Sequence, residues 1–138
     1  MDGTLIALVA AAVVVAGILY AIIHFFPQTA TVDKQKYQSR WLDIEQRLRP
    51  GNTESQQMAI LNADKLLDQA LKDTGSKGKT MGERMKSRQG VWSNANAVWA
   101  AHKLRNQIAH DEHVVVSEDT VRRALASFKR ALKDLEAM

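Results

Sequence analysis

The stretch WAAHKLRNQIAHDEH, residues 99–113, bears on both the fold and the candidate site. Its apolar positions recur at steps of four and three residues, which is the pattern of an amphipathic helix packed on a core; they are Ala97, Ala101, Leu104 and Ile108. The opposite face of this helix carries His102, Asn106 and His110 at i, i+4 and i+8. The stretch therefore predicts a helix with one buried face and one polar, histidine-bearing face.

The helix is expected to end close to His110. Residues 111–113 are polar, residues 114–116 are a β-branched Val run, and Ser117 is a good N-cap for a following helix. Arg105 and His110 are five positions apart, roughly 140° round an ideal helix. Their side chains therefore converge only if the helix ends near His110, or if a second copy of the chain supplies one of them.

Arg105, Asn106 and His110 form an Arg-x4-His motif late in a helix, and this motif resembles that of the HEPN superfamily. The resemblance covers roughly Val32 to the C-terminus. It implies a HEPN-like four-helix up-and-down bundle that dimerises to bring two motifs into one cleft. Many members are metal-independent ribonucleases and others are interaction modules, so the resemblance makes these three residues catalytic candidates. Nearby residues that could support them are His102, Asp111 and His113.

The residue types suit RNA cleavage without a metal. Histidine titrates near neutral pH, so His110 could act as an acid or a base. The planar guanidinium of Arg105 suits a phosphate, and Asn106 lies one turn before His110, where it could orient the imidazole. One motif offers one such histidine, so separate acid and base roles call for two chains. We therefore expect a homodimer, RNA as a partner, and no cofactor.

Two other interpretations of the motif remain open. In the first, Arg105 pairs with Asp111, Glu112 or a helix-end carbonyl, and His110 only caps the helix, where a cation is favoured. In the second, a metal binds to a set of side chains made up of His102, His110, His113 and Asp111. The His-x7-His spacing matches the usual i, i+4 ligand pair poorly, so we expect no metal site.

Residues 5–26 are almost continuously apolar, and no Asp, Glu, Lys or Arg occurs between Gly3 and Val32. Twenty-two helical residues span roughly 33 Å, enough for a hydrocarbon core of about 30 Å. A cleaved signal peptide fits less well, because a basic n-region is missing and Gln28 spoils the small-x-small site that would end at Ala30. A buried core helix is also disfavoured in so small a domain. We predict a single-pass membrane helix.

The charges that flank this segment predict its orientation. Asp2 precedes it, whereas Lys34, Lys36 and Arg40 follow it. By the positive-inside rule, residues 1–4 lie outside the cell membrane and the part after the 27–32 linker is cytoplasmic. All 19 Lys and Arg residues and all but one of the 15 acidic residues follow the apolar segment. The chain after this segment therefore carries a net charge of about +5, which suits an anionic partner.

Residues 33–138 show the periodicity of four longer helices and one short helix, so the chain is predicted to be all-α. The first helix stops at residues 49–51, Arg-Pro-Gly, and the second starts with a capping-box pattern at residues 53–56. Thr80 and Glu83 predict a capping box for the short helix. The third long helix is expected over residues 91–109, with Trp92 and Trp99 on one face as core or dimer-interface residues.

Residues 72–88 are the most basic part of the chain, and we weigh RNA or phosphate binding there against an ordinary solvated surface. The candidate phosphate-binding residues are Lys77, Lys79, Arg84, Lys86 and Arg88. A nucleotide-binding phosphate loop is excluded, since position 73 is Asp where that motif needs Gly and the preceding pattern is helical.

Three functions remain from the sequence. The domain is a membrane-tethered endoribonuclease, a catalytically inactive helical dimer that binds protein, nucleotide or RNA, or a structural bundle without a ligand. The chain has no cysteine, which excludes a thiolate metal site and a cysteine nucleophile.

Overall fold

The structure is a computed structural model that describes residues 2–25, 31–111 and 113–138. These residues form six helices and no strand, which confirms the prediction of an all-α chain with an N-terminal apolar helix. The helices are α1 (Gly3–Phe25), α2 (Lys34–Arg47), α3 (Thr53–Asp73), α4 (Met81–Ser87), α5 (Ala95–His110) and α6 (Glu118–Asp134).

Helix α1 is long and apolar enough to cross a membrane. It has 23 residues, no Asp, Glu, Lys or Arg, and no buried residue. It begins two residues before the predicted start at Leu5, while the predicted last residue, Phe26, lies outside the described part of the chain. Most of the predicted linker, residues 27–30, also lies outside it.

Helix α3 is the centre of the bundle, because it packs against α2, α4, α5 and α6. The helical periodicity of the sequence predicts six core positions on α3, and all six are buried: Ala59, Ile60, Ala63, Leu66, Leu67 and Ala70. The sequence also predicts an apolar stripe for the last helix, and its residues on α6 and at its C-cap are all buried: Val121, Leu125, Phe128, Leu132 and Leu135. The core is therefore made by α2 to α6, to which α1 contributes nothing.

The four long helices of the bundle run alternately up and down, which gives it two ends. The end at which α2 begins, directly after the predicted linker, is called the linker end. There the start of α2 meets the end of α3, and Tyr37 Oη donates to Asp73 Oδ2 at 2.5 Å. The start of α5 meets the end of α6 there, where the Ser93 N–H donates to Asp134 Oδ2 at 2.9 Å. At the opposite end, the turn between α2 and α3 contacts the start of α6.

That turn at the opposite end depends on one glycine. Gly51 has φ +75°, a conformation that glycine adopts without strain, and its N–H donates to Glu118 Oε1 at 2.7 Å. The predicted break after α2 is thereby confirmed, with α2 ending at Arg47. The predicted capping box at residues 53–56 is wrong, because Asn52 is the N-cap of α3 and accepts from the Ser55 N–H.

Helix α4 begins with the predicted capping box. The Thr80 hydroxyl accepts from the Glu83 N–H, and the Glu83 carboxylate accepts from the Thr80 N–H. The carboxylate also accepts from the Lys79 N–H at 2.6 Å. These backbone hydrogen bonds hold the pKa of Glu83 below its usual range.

Helix α5 begins at Ala95, four residues later than the predicted Val91. The delay has a local cause, since the Asn94 side chain accepts from the Ala97 N–H at 3.1 Å and caps the helix. Trp92 therefore precedes the helix and does not share a helical face with Trp99. It is nevertheless buried, and its indole N–H donates to Met85 O at 3.1 Å, while Trp99 is partly buried against the core.

Two asparagines two positions apart provide a test of the α5 boundary. Asn94→Ala removes the N-cap and is expected to destabilise the bundle by about 1 kcal/mol. Asn96→Ala, at an exposed position inside the first turn, is the matched control and should be neutral or slightly stabilising. Urea unfolding of both variants measures the difference. Equal effects of the two substitutions would place the helix start elsewhere.

Candidate functional site

The polar face of α5 packs on a buried carboxylate of α3. Asp64 lies between Ala63 and Leu67 on the buried side of α3, and only 3% of its surface is exposed. A carboxylate in such a place needs hydrogen bonds and an opposite charge, because burial removes its hydration. Both come from α5.

His102 provides the first contact. Its Nδ1 lies 2.7 Å from Asp64 Oδ1, and the His102 side chain is 13% exposed. A carboxylate accepts, so Nδ1–H is the donor, and in a neutral imidazole Nε2 is then an acceptor. Nε2 faces the Asn106 side-chain amide, whose Nδ2 is 3.5 Å away. The Trp99 ring packs edge-on against the imidazole at 6.2 Å between centroids. Asp64 therefore fixes both the position and the tautomer of His102.

Arg105 provides the second contact. Its Nε lies 3.2 Å from Asp64 Oδ2, and its Nη1 donates to Asn106 Oδ1 at 3.0 Å. The buried Nε has no well-directed hydrogen bond within the described chain, so the contact with Asp64 is mainly an attraction between charges. The Arg105 side chain as a whole is 37% exposed, although its Nε is buried.

The four residues form one connected group, which we name the Asp64 cluster: Asp64, His102, Arg105 and Asn106. Two of the three catalytic candidates, Arg105 and Asn106, thus lie together. The candidate support residue His102 joins them. The row of His102 and Asn106 on one face of α5 is as the sequence predicted.

The third catalytic candidate lies apart from this cluster. His110 is the exposed last residue of α5, and no hydrogen bond or ion pair of its side chain occurs within the described ranges. The candidate support residues Asp111 and His113 are exposed beyond it, and the Asp111 side chain accepts from the His113 N–H at 2.9 Å. A single copy of the chain therefore does not join His110 to Arg105.

The basic segment divides into two kinds of residue. Arg84 is buried, and its guanidinium contacts Asp68 at 2.7 Å and donates to Gly78 O at 3.1 Å. Arg88 donates to Ser76 Oγ and to Thr74 O. These two candidate phosphate-binding residues are thus engaged by the protein itself, where they hold the connection between α3 and α4. The other three, Lys77, Lys79 and Lys86, are exposed.

Asp64 was missed by the sequence reasoning, although it left a signal. It is a charged residue inside an apolar helical stripe, flanked by Ala63 and Leu67. Such a residue is seldom buried without a partner, so this pattern indicates a basic residue packed on it from elsewhere in the chain. The sequence-based alternatives for the partner of Arg105 were only Asp111 and Glu112, which are close to it in sequence.

Within residues 2–25, 31–111 and 113–138, no three His, Asp or Glu side chains converge in a way that could hold a metal ion. The alternative set with Asp111 is therefore not assembled there. No family model, curated protein or solved structure matches this chain. The chemistry of the site must therefore be argued from its own residues.

The Asp64 cluster can be tested by removing the carboxylate charge alone. Asp64→Asn leaves Arg105 without its counter-charge and gives His102 a neutral amide oxygen in place of the carboxylate, and is expected to cost about 2 kcal/mol of unfolding free energy. This is below the cost of breaking a fully buried pair, because Arg105 is partly in water. Asp43→Asn, which breaks an exposed pair with Arg47, is the control and should change stability by less than about 0.5 kcal/mol. Similar urea midpoints for the two variants would contradict the account.

Proposed function

We propose that the chain is a membrane-anchored, HEPN-like, metal-independent endoribonuclease whose site is completed by a second copy. The observation that carries the proposal is the set of contacts that hold Arg105 in place. Its guanidinium is held by buried Asp64 and by Asn106, in a side chain that is 37% exposed and lies five residues before the end of α5. A fixed, accessible guanidinium is suited to a phosphodiester.

The anchor in this proposal is α1. Lys34, Lys36 and Arg40 follow it and Asp2 precedes it, so the helical bundle is placed on the cytoplasmic side of the cell membrane. The N-terminus is then outside. RNA, the proposed substrate, is found on the side where the bundle lies.

The proposed reaction is attack of a ribose 2′-hydroxyl on the adjacent phosphate. A base removes the hydroxyl proton, an acid protonates the leaving 5′-oxygen, and a cation offsets charge on the phosphate oxygens. Arg105 supplies the cation. His110, exposed at the last residue of the same helix, supplies the proton transfer. One chain thus offers the cation and one of the two proton-transfer groups.

A second copy is required by the placement of His110. Within one chain it does not contact the Asp64 cluster, and acid and base roles need two separate groups. Two copies related by a two-fold axis would bring two Arg105 and two His110 residues to one cleft, as in isologous dimers generally. The proposed enzyme is therefore a homodimer.

One observation favours a second function, a binding module that does not cleave. Asp64 offsets the charge of Arg105 and occupies Nδ1 of His102. A cluster of this kind also serves simply to hold α5 on α3, and a dimer built on it would bind protein or RNA through other surfaces. Binding without cleavage separates this function from the first.

The test is cleavage of structured and single-stranded RNA by the full chain in detergent, with EDTA present. His110→Ala is the key variant, because this side chain is exposed and makes no hydrogen bond or ion pair with the residues that the structure describes. Its cleavage rate should fall by at least about 100-fold, the typical contribution of a general acid or base. The cleavage rate of Arg105→Gln should also fall. The urea unfolding midpoint of this variant is measured in parallel, so that a loss of activity can be separated from a loss of stability.

Gln107→Ala and Arg130→Ala, at exposed positions outside the cluster, are matched controls and should keep the wild-type rate. Cleavage that is unchanged in His110→Ala, or lost with EDTA, would reject the proposed mechanism. A wild-type dimer that binds RNA and leaves it intact would establish the binding module instead.

A further inference from the structure

The two ends of the bundle differ in their distance from α1. Eight residues, 26–33, separate the end of α1 from the start of α2. Even fully extended they reach no more than about 29 Å, so the linker end stays near the point where α1 leaves the membrane. Helix α3, with 21 residues, leads about 31 Å away from that end. The linker end is therefore the part of the bundle that is best placed to meet the bilayer.

The connection between α3 and α4 is attached to this same end. Tyr37 in the first turn of α2 donates to Asp73 in the last turn of α3. Burial and this hydrogen bond raise the pKa of Tyr37, while the same bond, with help from Gln69, holds the pKa of Asp73 below its usual range. Both shifts favour a neutral phenol bonded to a carboxylate, which joins α2 to the start of the basic segment.

The basic segment is held in a defined shape. Arg84 donates to Gly78 O at 3.1 Å, and Arg88 donates to Thr74 O at 2.5 Å. Gly78 has φ +138°, and a Cβ added there would lie 2.6 Å from the Glu83 Cβ, so the chain passes too close to α4 for any other residue. The backbone that carries the lysines of this segment is therefore held in place by hydrogen bonds and by packing against α4.

The charge of the segment is unbalanced. Residues 72–88 contain six Lys and Arg residues and two acidic residues. Both acids are engaged, Asp73 by Tyr37 and Glu83 by the backbone N–H groups of residues 79 and 80. Arg84 and Arg88 are turned to protein acceptors, and Lys72 pairs with Asp68 at 3.2 Å. The positive charge left to solvent is on Lys77, Lys79 and Lys86, which we name the lysine surface.

The chemistry of the lysine surface favours a lipid headgroup over RNA. Residues 72–90 include no aromatic side chain on which an unpaired base could stack. Lysine ammonium groups bind phosphate as point charges without a fixed geometry, which suits a fluid layer of headgroups. Basic residues close to a membrane anchor gain from the negative potential of an anionic leaflet, within about 10 Å of its surface.

The short linker keeps this end of the bundle near α1, and the packed segment between α3 and α4 exposes its lysines there. We therefore infer that the lysine surface binds anionic phospholipid headgroups of the membrane that α1 spans. The inference rests on the membrane-anchor part of the proposed function and not on catalysis. This contact would hold the linker end of the bundle against the bilayer surface. His110 and the end of α5 lie at the opposite end, so docking leaves them facing the cytoplasm.

The experiment uses the full chain in nanodiscs of phosphatidylcholine alone or with phosphatidylglycerol added. Because the chain has no cysteine, Gln89→Cys and Glu54→Cys each provide one labelling site, the first at the linker end and the second at the opposite end. Energy transfer from each label to a headgroup-labelled lipid reports its distance from the bilayer. The label at position 89 should move closer when the anionic lipid is added and should be released by high salt.

The test variant replaces Lys77, Lys79 and Lys86 with Gln. At about fivefold per lysine, the ratio of docked to undocked bundle should fall on the order of 100-fold. The control replaces Arg47, Arg49 and Arg122 with Gln, the same charge removed from exposed positions at the opposite end, and it should still dock.

The inference would be overturned by energy transfer at position 89 that does not depend on lipid charge. It would also be overturned if both triple variants lost docking to the same extent. Loss of RNA binding in the lysine variant with docking unchanged would overturn it as well, since the surface would then be an RNA contact. Wild-type RNA cleavage is measured in the same discs. Docking without cleavage rejects the nuclease and keeps the lipid contact, whereas cleavage without docking does the reverse.

Discussion

The contact between Asp64 of α3 and two residues of α5 is the constraint on which the arrangement of the site depends. A carboxylate that is 3% exposed is stable only if its charge is met, and here His102 and Arg105 meet it from one helix face. This fixes the rotation of α5 about its axis. Asn106 is placed beside Arg105, and the apolar residues Val98, Ala101 and Ile108 are directed to the core. The polar and apolar faces of α5 are thus positioned by the same packing.

Much of the fold could be predicted because its determinants are local. Helical periodicity located the core residues of α3 and α6, and the Thr80–Glu83 capping box located the start of α4. The errors were also local: Asn52 caps α3 one residue before the predicted cap at residue 53, and α5 begins four residues after its predicted start, since several polar residues at each site could have served. The partners of charged side chains could not be predicted in this way. Arg105 pairs 41 positions upstream with Asp64, and only the packing of α5 on α3 brings the two together.

The candidate site shows the same division. The sequence selected Arg105 and Asn106, and they lie together, but it did not select the carboxylate that holds them. It grouped His110 with them by spacing, whereas helix geometry leaves His110 exposed and apart in one chain. It also grouped five basic residues of which two, Arg84 and Arg88, are engaged by the protein. The chain is a helical bundle that follows an apolar helix, with a cation fixed on α5, an exposed histidine at the end of α5, and a lysine surface at the end of the bundle that follows the linker.

The most direct test of this account is the tautomer of His102 in the full chain, read from the ¹⁵N shifts of its imidazole by two-dimensional NMR. If Asp64 organises the face of α5, wild-type His102 carries its proton on Nδ1, and Asp64→Asn changes the Nδ1 signal while Asp43→Asn leaves it unchanged. An Nε2-protonated His102 in the wild type, or a signal that Asp64→Asn does not alter, would contradict the account. The buried carboxylate would then not be what positions Arg105.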